Sequence, residues 1–256
     1  MSASSLPTHN NSSADKPTAP VQIQMAMARM TTPEGLLECG VDEVGIGSAI
    51  AEVYAAACIL NPARRINGLR DSKQLTPERR KELSERIKDR ALDFCIATAS
   101  LEEVNTLNVF RATMLAMQRA VAGLKLKPGI ILIDGNRMPS LPYPARTIIK
   151  GDAKVRCISA ASILAKVARD EAMLTYHEQF PQYGIDRHKG YLTALHQATL
   201  KQFGPCAIHR KNYEPVRALL SPAGSEQLSL IAEDPDELER IMEETSTQLP
   251  PNPGGP

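Results

Sequence analysis

Three apolar segments of this chain each run into an acidic residue, and that pattern limits the fold more than any other feature. The first is Leu36–Val41, followed at once by Asp42-Glu43 and the bend Gly45-Ile46-Gly47. The second, Ile130–Ile133, ends in Asp134-Gly135, and the third, Ala145–Ile149, leads into Lys150-Gly151-Asp152. Successive side chains of a strand point to opposite faces, so Asp42 and Glu43 can serve one site only where the strand ends and the backbone turns. Four consecutive apolar residues at 130–133 suit a strand covered on both faces, the mark of a sheet flanked by helices. In such sheets ligands gather at strand ends, where acids from separate strands converge. Taken singly, each acid also reads as an ordinary turn residue.

Carboxylates brought together repel one another unless a divalent cation neutralises them. Oxygen ligands without His or Cys favour Mg²⁺ or Mn²⁺ over zinc. Such a cluster suits two-metal phosphoryl chemistry, with ions about 3.5–4 Å apart. The Gly-x-Gly bend beside it supplies backbone that a phosphate-bearing ligand can approach closely.

The remaining periodicities complete an α/β pattern. Ala51–Leu60 reads as a second strand hairpinned to the first, and Leu92–Ala99 as another. Thr76-Pro77 is a helix start, with Thr at the N-cap and Pro in the first turn; the helix runs to about Arg90 with Leu83 and Ile87 inward. Asn108–Ala122 has helical spacing (Met114, Met117, Val121) and stops at Gly123. Ile158, Ala161, Ala165, Ala168 and Ala172 form a small-residue stripe that lets a helix lie close to its neighbour. Further helices are expected at Thr193–Phe203 and Pro215–Leu220. Residues 1–35 are poor in apolar periodicity and read as a disordered extension, with a helical turn conceivable only at Met25–Met30. Residues 221–256 read as an acidic, Pro-rich disordered tail, with Asp236–Glu244 its one helical stretch.

Charge is unevenly spread. The tail carries net −7, which leaves +8 on residues 1–220 out of an overall +1, a balance that suits a polyanionic partner. The five cysteines are scattered, with no Cys-x-x-Cys, which argues against a disulfide framework or a zinc site. No apolar run reaches membrane-spanning length and no secretory signal opens the chain, so a cytoplasmic protein is expected. Nothing signals an oligomer or an obligate protein partner; a monomer is the default.

The acid-bearing segments belong to a longer series. It comprises 40–47 (Gly-Val-Asp-Glu-Val-Gly-Ile-Gly), 71–73 (Asp-Ser-Lys), 112–120 (Ala-Thr-Met-Leu-Ala-Met-Gln-Arg-Ala), 132–136 (Leu-Ile-Asp-Gly-Asn) and 150–152 (Lys-Gly-Asp). It continues with 158–170 (Ile-Ser-Ala-Ala-Ser-Ile-Leu-Ala-Lys-Val-Ala-Arg-Asp), 180–184 (Phe-Pro-Gln-Tyr-Gly) and 188–191 (His-Lys-Gly-Tyr). In this order and over Leu36–Leu220 the chain resembles bacterial ribonuclease HII. The resemblance implies an RNase H-like mixed five-stranded sheet flanked by helices, with a helical C-terminal part, in a catalytic domain spanning 36–220. It implies an endonuclease that cuts RNA in RNA–DNA hybrids and on the 5′ side of ribonucleotides embedded in duplex DNA. By the same likeness Asp42, Glu43, Asp134 and Asp152 are the catalytic metal ligands for Mn²⁺ or Mg²⁺. Asp170 competes for the fourth place, although an i,i+4 pair with Lys166 accounts for it more simply.

Substrate-binding roles fall on Gly45, Ile46, Gly47, Lys73, Lys189 and Tyr191. An aromatic such as Tyr191 can stack on a sugar or base while its hydroxyl reads a 2′-OH, though structurally it also suits a helix start. Lys150, Lys166, Arg187 and Arg210 are further candidate phosphate contacts or plain surface charges. One departure stands out: the family has Arg between the two glycines, where this chain has Ile46. The lost charge-assisted contact is worth ~1.5–3 kcal/mol, which predicts weakened substrate handling. A catalytically weakened hybrid-binding protein of the same fold is therefore the alternative.

Overall fold

The computed structural model describes residues 37–221. The extension and acidic tail expected at the two ends, with the possible helical turns in them, lie outside these residues. Five strands, β1 (Glu38–Val44), β2 (Val53–Ile59), β3 (Asp93–Ala99), β4 (Ile130–Asp134) and β5 (Ala145–Ile148), form one mixed sheet in the order β3-β2-β1-β4-β5. β1 pairs antiparallel with β2 and parallel with β4. The helices are α1 (Pro77–Arg90), α2 (Leu101–Leu107), α3 (Val109–Ala122), α4 (Gly151–Lys154), α5 (Arg156–Gln179), α6 (Ile185–His188), α7 (Ala194–Phe203) and α8 (Glu214–Leu219).

The sheet is buried on both faces, as the run at 130–133 predicts. One face packs Val41, Val53, Ala55, Ile131 and Ile133 against Ala112, Ala116, Met117 and Ala120 of α3. On the other, Ala56 and Cys58 meet Ala160, Ala161, Leu164 and Ala165 of α5, with Leu83 and Ile87 of α1 alongside. Each fully buried aliphatic contributes roughly 1.5–3 kcal/mol. The small-residue stripe has its expected use at the start of α5. There Gly40 lies so close that a Cβ on it would sit 2.1 Å from the Cys157 carbonyl carbon and 2.2 Å from the Ile158 nitrogen. Smaller clusters seat the C-terminal helices: Ile50 packs with Met173, Tyr183 and Ile185, and Ala49 with Leu200 and Val216.

Several expectations need correction. β1 runs to Val44 rather than stopping at Val41, because its Ala-rich partner β2 keeps pairing as far as Val44 with Tyr54. Asp42 and Glu43 therefore lie within that ladder, opposite Ala56 and Ala55, and not in the turn after it. Asp152 does not end a strand. Lys150 adopts a left-handed conformation (φ 55°) after β5 and starts the short helix α4, which carries Asp152 in its first turn. Tyr191 starts no helix either; it forms an isolated bridge with Ser48, and α7 begins at Ala194 behind a Thr193 cap. The unanticipated α2 is capped by a reciprocal Ser100–Glu103 box and is separated from α3 by Asn108 at φ 69°.

Candidate active site

Register brings the acids together. In the parallel β1–β4 ladder Val41 pairs with Ile133, so the next residues, Asp42 and Asp134, leave the ladder side by side. Asp134 then builds the third position: its Oδ1 accepts from the Gly151 N–H at 2.6 Å and from the Asp152 N–H at 3.2 Å. This carboxylate caps α4 and draws Asp152 inward. Asp42, Asp134 and Asp152 each present a carboxylate oxygen within 4.8 Å of the others. Glu43 falls outside that trio but lines the same cleft, together with Lys73, Lys166 and Tyr191.

The electrostatics are dominated by burial and by repulsion among the acids. Burial raises the Asp42 pKa well above the usual carboxylate range, and repulsion from Glu43 and Asp134 adds to it against a hydrogen bond from Ser162. Burial and Asp134 push Glu43 up to about 7, with Lys73 opposing. Asp152 is raised by burial, then by Asp134 and Asp71. Three buried or half-buried carboxylates of hard oxygen donors, destabilised by one another, fit a divalent cation of the Mg²⁺ or Mn²⁺ type.

Tyr191, which lines the cleft, belongs to a pair of chain segments locked together. Every backbone group of the turn Lys189-Gly190-Tyr191 has a partner. Lys189 N–H donates to Ile185 O (2.8 Å), Gly190 N–H to His188 Nδ1 (3.0 Å) and Tyr191 N–H to His188 O (3.0 Å). The Gly190 carbonyl accepts from Ala49 N–H (2.9 Å) and Ser48 Oγ (3.1 Å), and the Tyr191 carbonyl from His196 Nδ1 (3.1 Å). These bonds hold the turn against the loop that follows β1. Gly45, at φ 101°, and exposed Gly47 flank Ile46, whose side chain is 40% exposed. A Cβ on Gly47 would sit 3.9 Å from the Tyr191 ring, so the loop and the aromatic face each other.

Behind these segments His196 Nε2 and His209 Nε2 are 3.3 Å apart, and the His188 and His196 rings stack with centroids 4.2 Å apart. The partners fix neutral tautomers: His196 donates through Nδ1 and accepts at Nε2, while His209 Nδ1 accepts from Cys206 N–H (3.0 Å). Burial, with help from His188, lowers His196 to about 3 and His209 to about 4.

The other expected phosphate contacts divide. Lys73 and Lys166 reach the cleft, and Lys166 also holds Asp170 at 2.7 Å, which leaves Asp170 outside the carboxylate trio. Lys189 is half-buried and left-handed (φ 51°), and exposed Lys150 adjoins Asp152. Arg187 lines a separate depression beside Leu195 and Phe203. Arg210 is neither a phosphate contact nor a surface charge. It is buried, and its guanidinium donates to the carbonyls of Ala51 (2.8 Å), Ile46 (3.0 Å) and Glu52 (3.1 Å). Sequence reasoning passed over Ser48, Ser72, Ser162 and Arg169. Ser162 precedes Lys166 by four residues on α5, a helical spacing that places both toward the cleft; Ser48 and Arg169 offer no local cue.

The ribonuclease HII family model matches residues 39–216. Ribonuclease HII of Desulforamulus reducens is 56% identical over 195 residues, covering 76% of this chain and 98% of that protein. The enzyme of Natranaerobius thermophilus is 52% identical over 193 residues, covering 75% and 98%. Among solved structures, ribonuclease H2 from Pyrococcus horikoshii OT3 superposes with a TM-score of 0.60 at 25% identity, covering 77% of this chain and 99% of that one. The sheet order, the convergent acids and these likenesses agree: the chain belongs to the ribonuclease HII family of endoribonucleases.

Proposed function

We propose that residues 36–220 form a catalytic domain that hydrolyses the RNA strand of RNA–DNA hybrids and cuts on the 5′ side of ribonucleotides embedded in duplex DNA. Cutting leaves 3′-hydroxyl and 5′-phosphate ends. The observation that carries this reading is one cleft lined by Asp42, Glu43 and Asp134 together with Lys73, Lys166 and Tyr191, with Asp152 grouped with the two aspartates and Gly47 beside the Tyr191 ring. Asp42, Glu43, Asp134 and Asp152 would hold two divalent cations, Mn²⁺ or Mg²⁺. Such ions supply an activated water and charge stabilisation at the scissile phosphate and its leaving oxygen. The chain's own groups do the positioning. Lys73 and Lys166 meet backbone phosphates, Lys189 adds charge beside the turn, and Tyr191 stacks on the ribonucleotide while its hydroxyl meets the 2′-OH. Gly45 and Gly47 let the backbone at Ile46 come close to the same sugar. No side chain serves as nucleophile.

A labelled duplex with one ribonucleotide, incubated with Mg²⁺, Mn²⁺ or EDTA, tests the reading. Cutting 5′ of the ribonucleotide that EDTA abolishes is expected. Retention of the duplex without cutting would favour the hybrid-binding alternative, and cutting in EDTA would overturn the metal assignment.

A further inference from the structure

Arg169 of α5 is fully buried (0% exposed), yet among the described residues no carboxylate forms an ion pair with it. The adjacent Asp170 is taken by Lys166 (2.7 Å) and Arg80 (3.7 Å). Its guanidinium instead donates to the Lys189 carbonyl (Nη1, 2.9 Å) and to Ser48 Oγ (Nη2, 2.7 Å), and its carbon lies 5.4 Å from the Tyr191 ring centroid. Nε faces Gly45, where a Cβ would sit 2.6 Å away, and has no hydrogen-bond partner. A buried charge held this way is costly, and a well-packed apolar side chain of similar length would be as stable or more so. Packing therefore does not explain an arginine here. The fork geometry does, because it reaches two segments at once. Ser48 extends the link, since its single hydroxyl proton lies within reach of both the Ile50 carbonyl (3.0 Å) and the Gly190 carbonyl (3.1 Å) and is donated to one or shared between them.

We propose that Arg169 is a positioning residue for ribonucleotide recognition, its two guanidinium arms locking the Gly45–Ile50 loop to the Lys189–Tyr191 turn so that both meet the sugar as one unit. The inference rests on the substrate reading above. A loop and a turn that moved independently would still bind a duplex but would orient the 2′-OH poorly, so the effect falls on selectivity rather than on the carboxylates.

The test compares Arg169→Met, Arg169→Lys, Ser48→Ala and the Arg169→Lys/Ser48→Ala pair, with Tyr191→Ala as reference. The readouts are kcat and KM on a single-ribonucleotide duplex, the binding ratio of that duplex to an all-DNA duplex, and the melting temperature. Arg169→Met is expected to fold with a modestly lower melting temperature, since the Lys189 carbonyl loses its donor, and to lose about tenfold or more in kcat/KM, mainly through kcat. Its binding ratio should fall as well. Arg169→Lys keeps the charge but cannot span both arms, and the paired variant should be little worse than Arg169→Lys alone, since the two residues form one link. If Arg169→Met does not fold, Ser48→Ala decides by the same loss of selectivity. Selectivity retained in folded Arg169 variants while Tyr191→Ala loses it would overturn the proposal, as would multiplicative losses in the pair. If Tyr191→Ala keeps full selectivity, the substrate reading itself fails.

Discussion

Two buried polar clusters meet at this cleft and are built on opposite principles. The histidine–arginine side is closed. His188, His196, His209 and Arg210 spend their polar atoms on backbone carbonyls, amides or one another, and the rings stay neutral. The carboxylate side is left open. Asp42, Asp134 and Asp152 crowd within 4.8 Å, and burial and mutual repulsion raise Asp42, Glu43 and Asp152. A satisfied network specifies shape, whereas an unsatisfied one carries a cost until something binds. On the proposed reading, the same chain fixes its recognition wall with hydrogen bonds and gathers repelling carboxylates on its reactive wall.

The contrast can be broken most forcefully at Asp42. Asp42→Asn should lower kcat by about a thousandfold, several kcal/mol of transition-state stabilisation, while the metal-free melting temperature does not fall. The opposite wall should behave in reverse. His196→Ala strands His209 Nε2, leaves the Tyr191 carbonyl with the Thr193 N–H alone, and opens a void. A loss of about 2–4 kcal/mol is expected, seen as a melting point lower by about 4–16 °C. If His196→Ala melts like the parent, the closed network does not support the fold.

Ile46 lies where the walls meet. Its carbonyl is held by Arg210, so the side chain points outward and has room for a longer one. Ile46→Arg should raise kcat/KM on a single-ribonucleotide duplex about tenfold to a hundredfold, with the melting temperature unchanged. An unchanged kcat/KM would show that the missing guanidinium does not limit this chain.

The smallest effect concerns pH, and the two walls have opposite signs in EDTA. Glu43 rises to about 7 from an unfolded value near 4.3. Its folded form therefore holds a proton that the unfolded chain has released, and stability is lost as pH rises through about 7. Glu43→Gln should recover ~1–2 kcal/mol at pH 8 and nothing below pH ~4. The histidines are lowered instead. Below about 6.5 the unfolded chain takes up protons first, so stability is lost on acidification toward the folded values of about 3 and 4. Melting curves of parent and Glu43→Gln from pH 4 to 8, with and without Mn²⁺, would separate the two contributions. A Glu43→Gln gain that does not grow with pH would sink the repulsion account.

The layered α/β fold was legible because hydrophobic runs and their punctuation are local: a four-residue apolar strand, a Thr-Pro helix start, a small-residue stripe. Asp42 and Asp134 were legible for the same reason. Asp152 was placed near its neighbours but in the wrong element, since nothing local announces a lysine at positive φ. The α2 helix was missed although Ser100-Leu-Glu-Glu carries a capping box. Arg169 and Arg210 were unreadable in a different sense. Arginine is ordinarily exposed, and their burial depends on carbonyls more than a hundred residues away in Arg210's case.

Asp134 has a practical consequence for anyone seeking to capture this protein with its substrate intact. One of its oxygens is committed to the amides of Gly151 and Asp152. An asparagine there keeps a carbonyl oxygen for those amides while removing the negative charge and putting an NH₂ in place of the other oxygen, whereas alanine would also release α4 and carry Asp152 out of place. On the proposed reading Asp134→Asn is expected to be the inactive variant suited to trapping an uncut duplex, and losses measured at 134 and 152 by alanine would count one displacement twice.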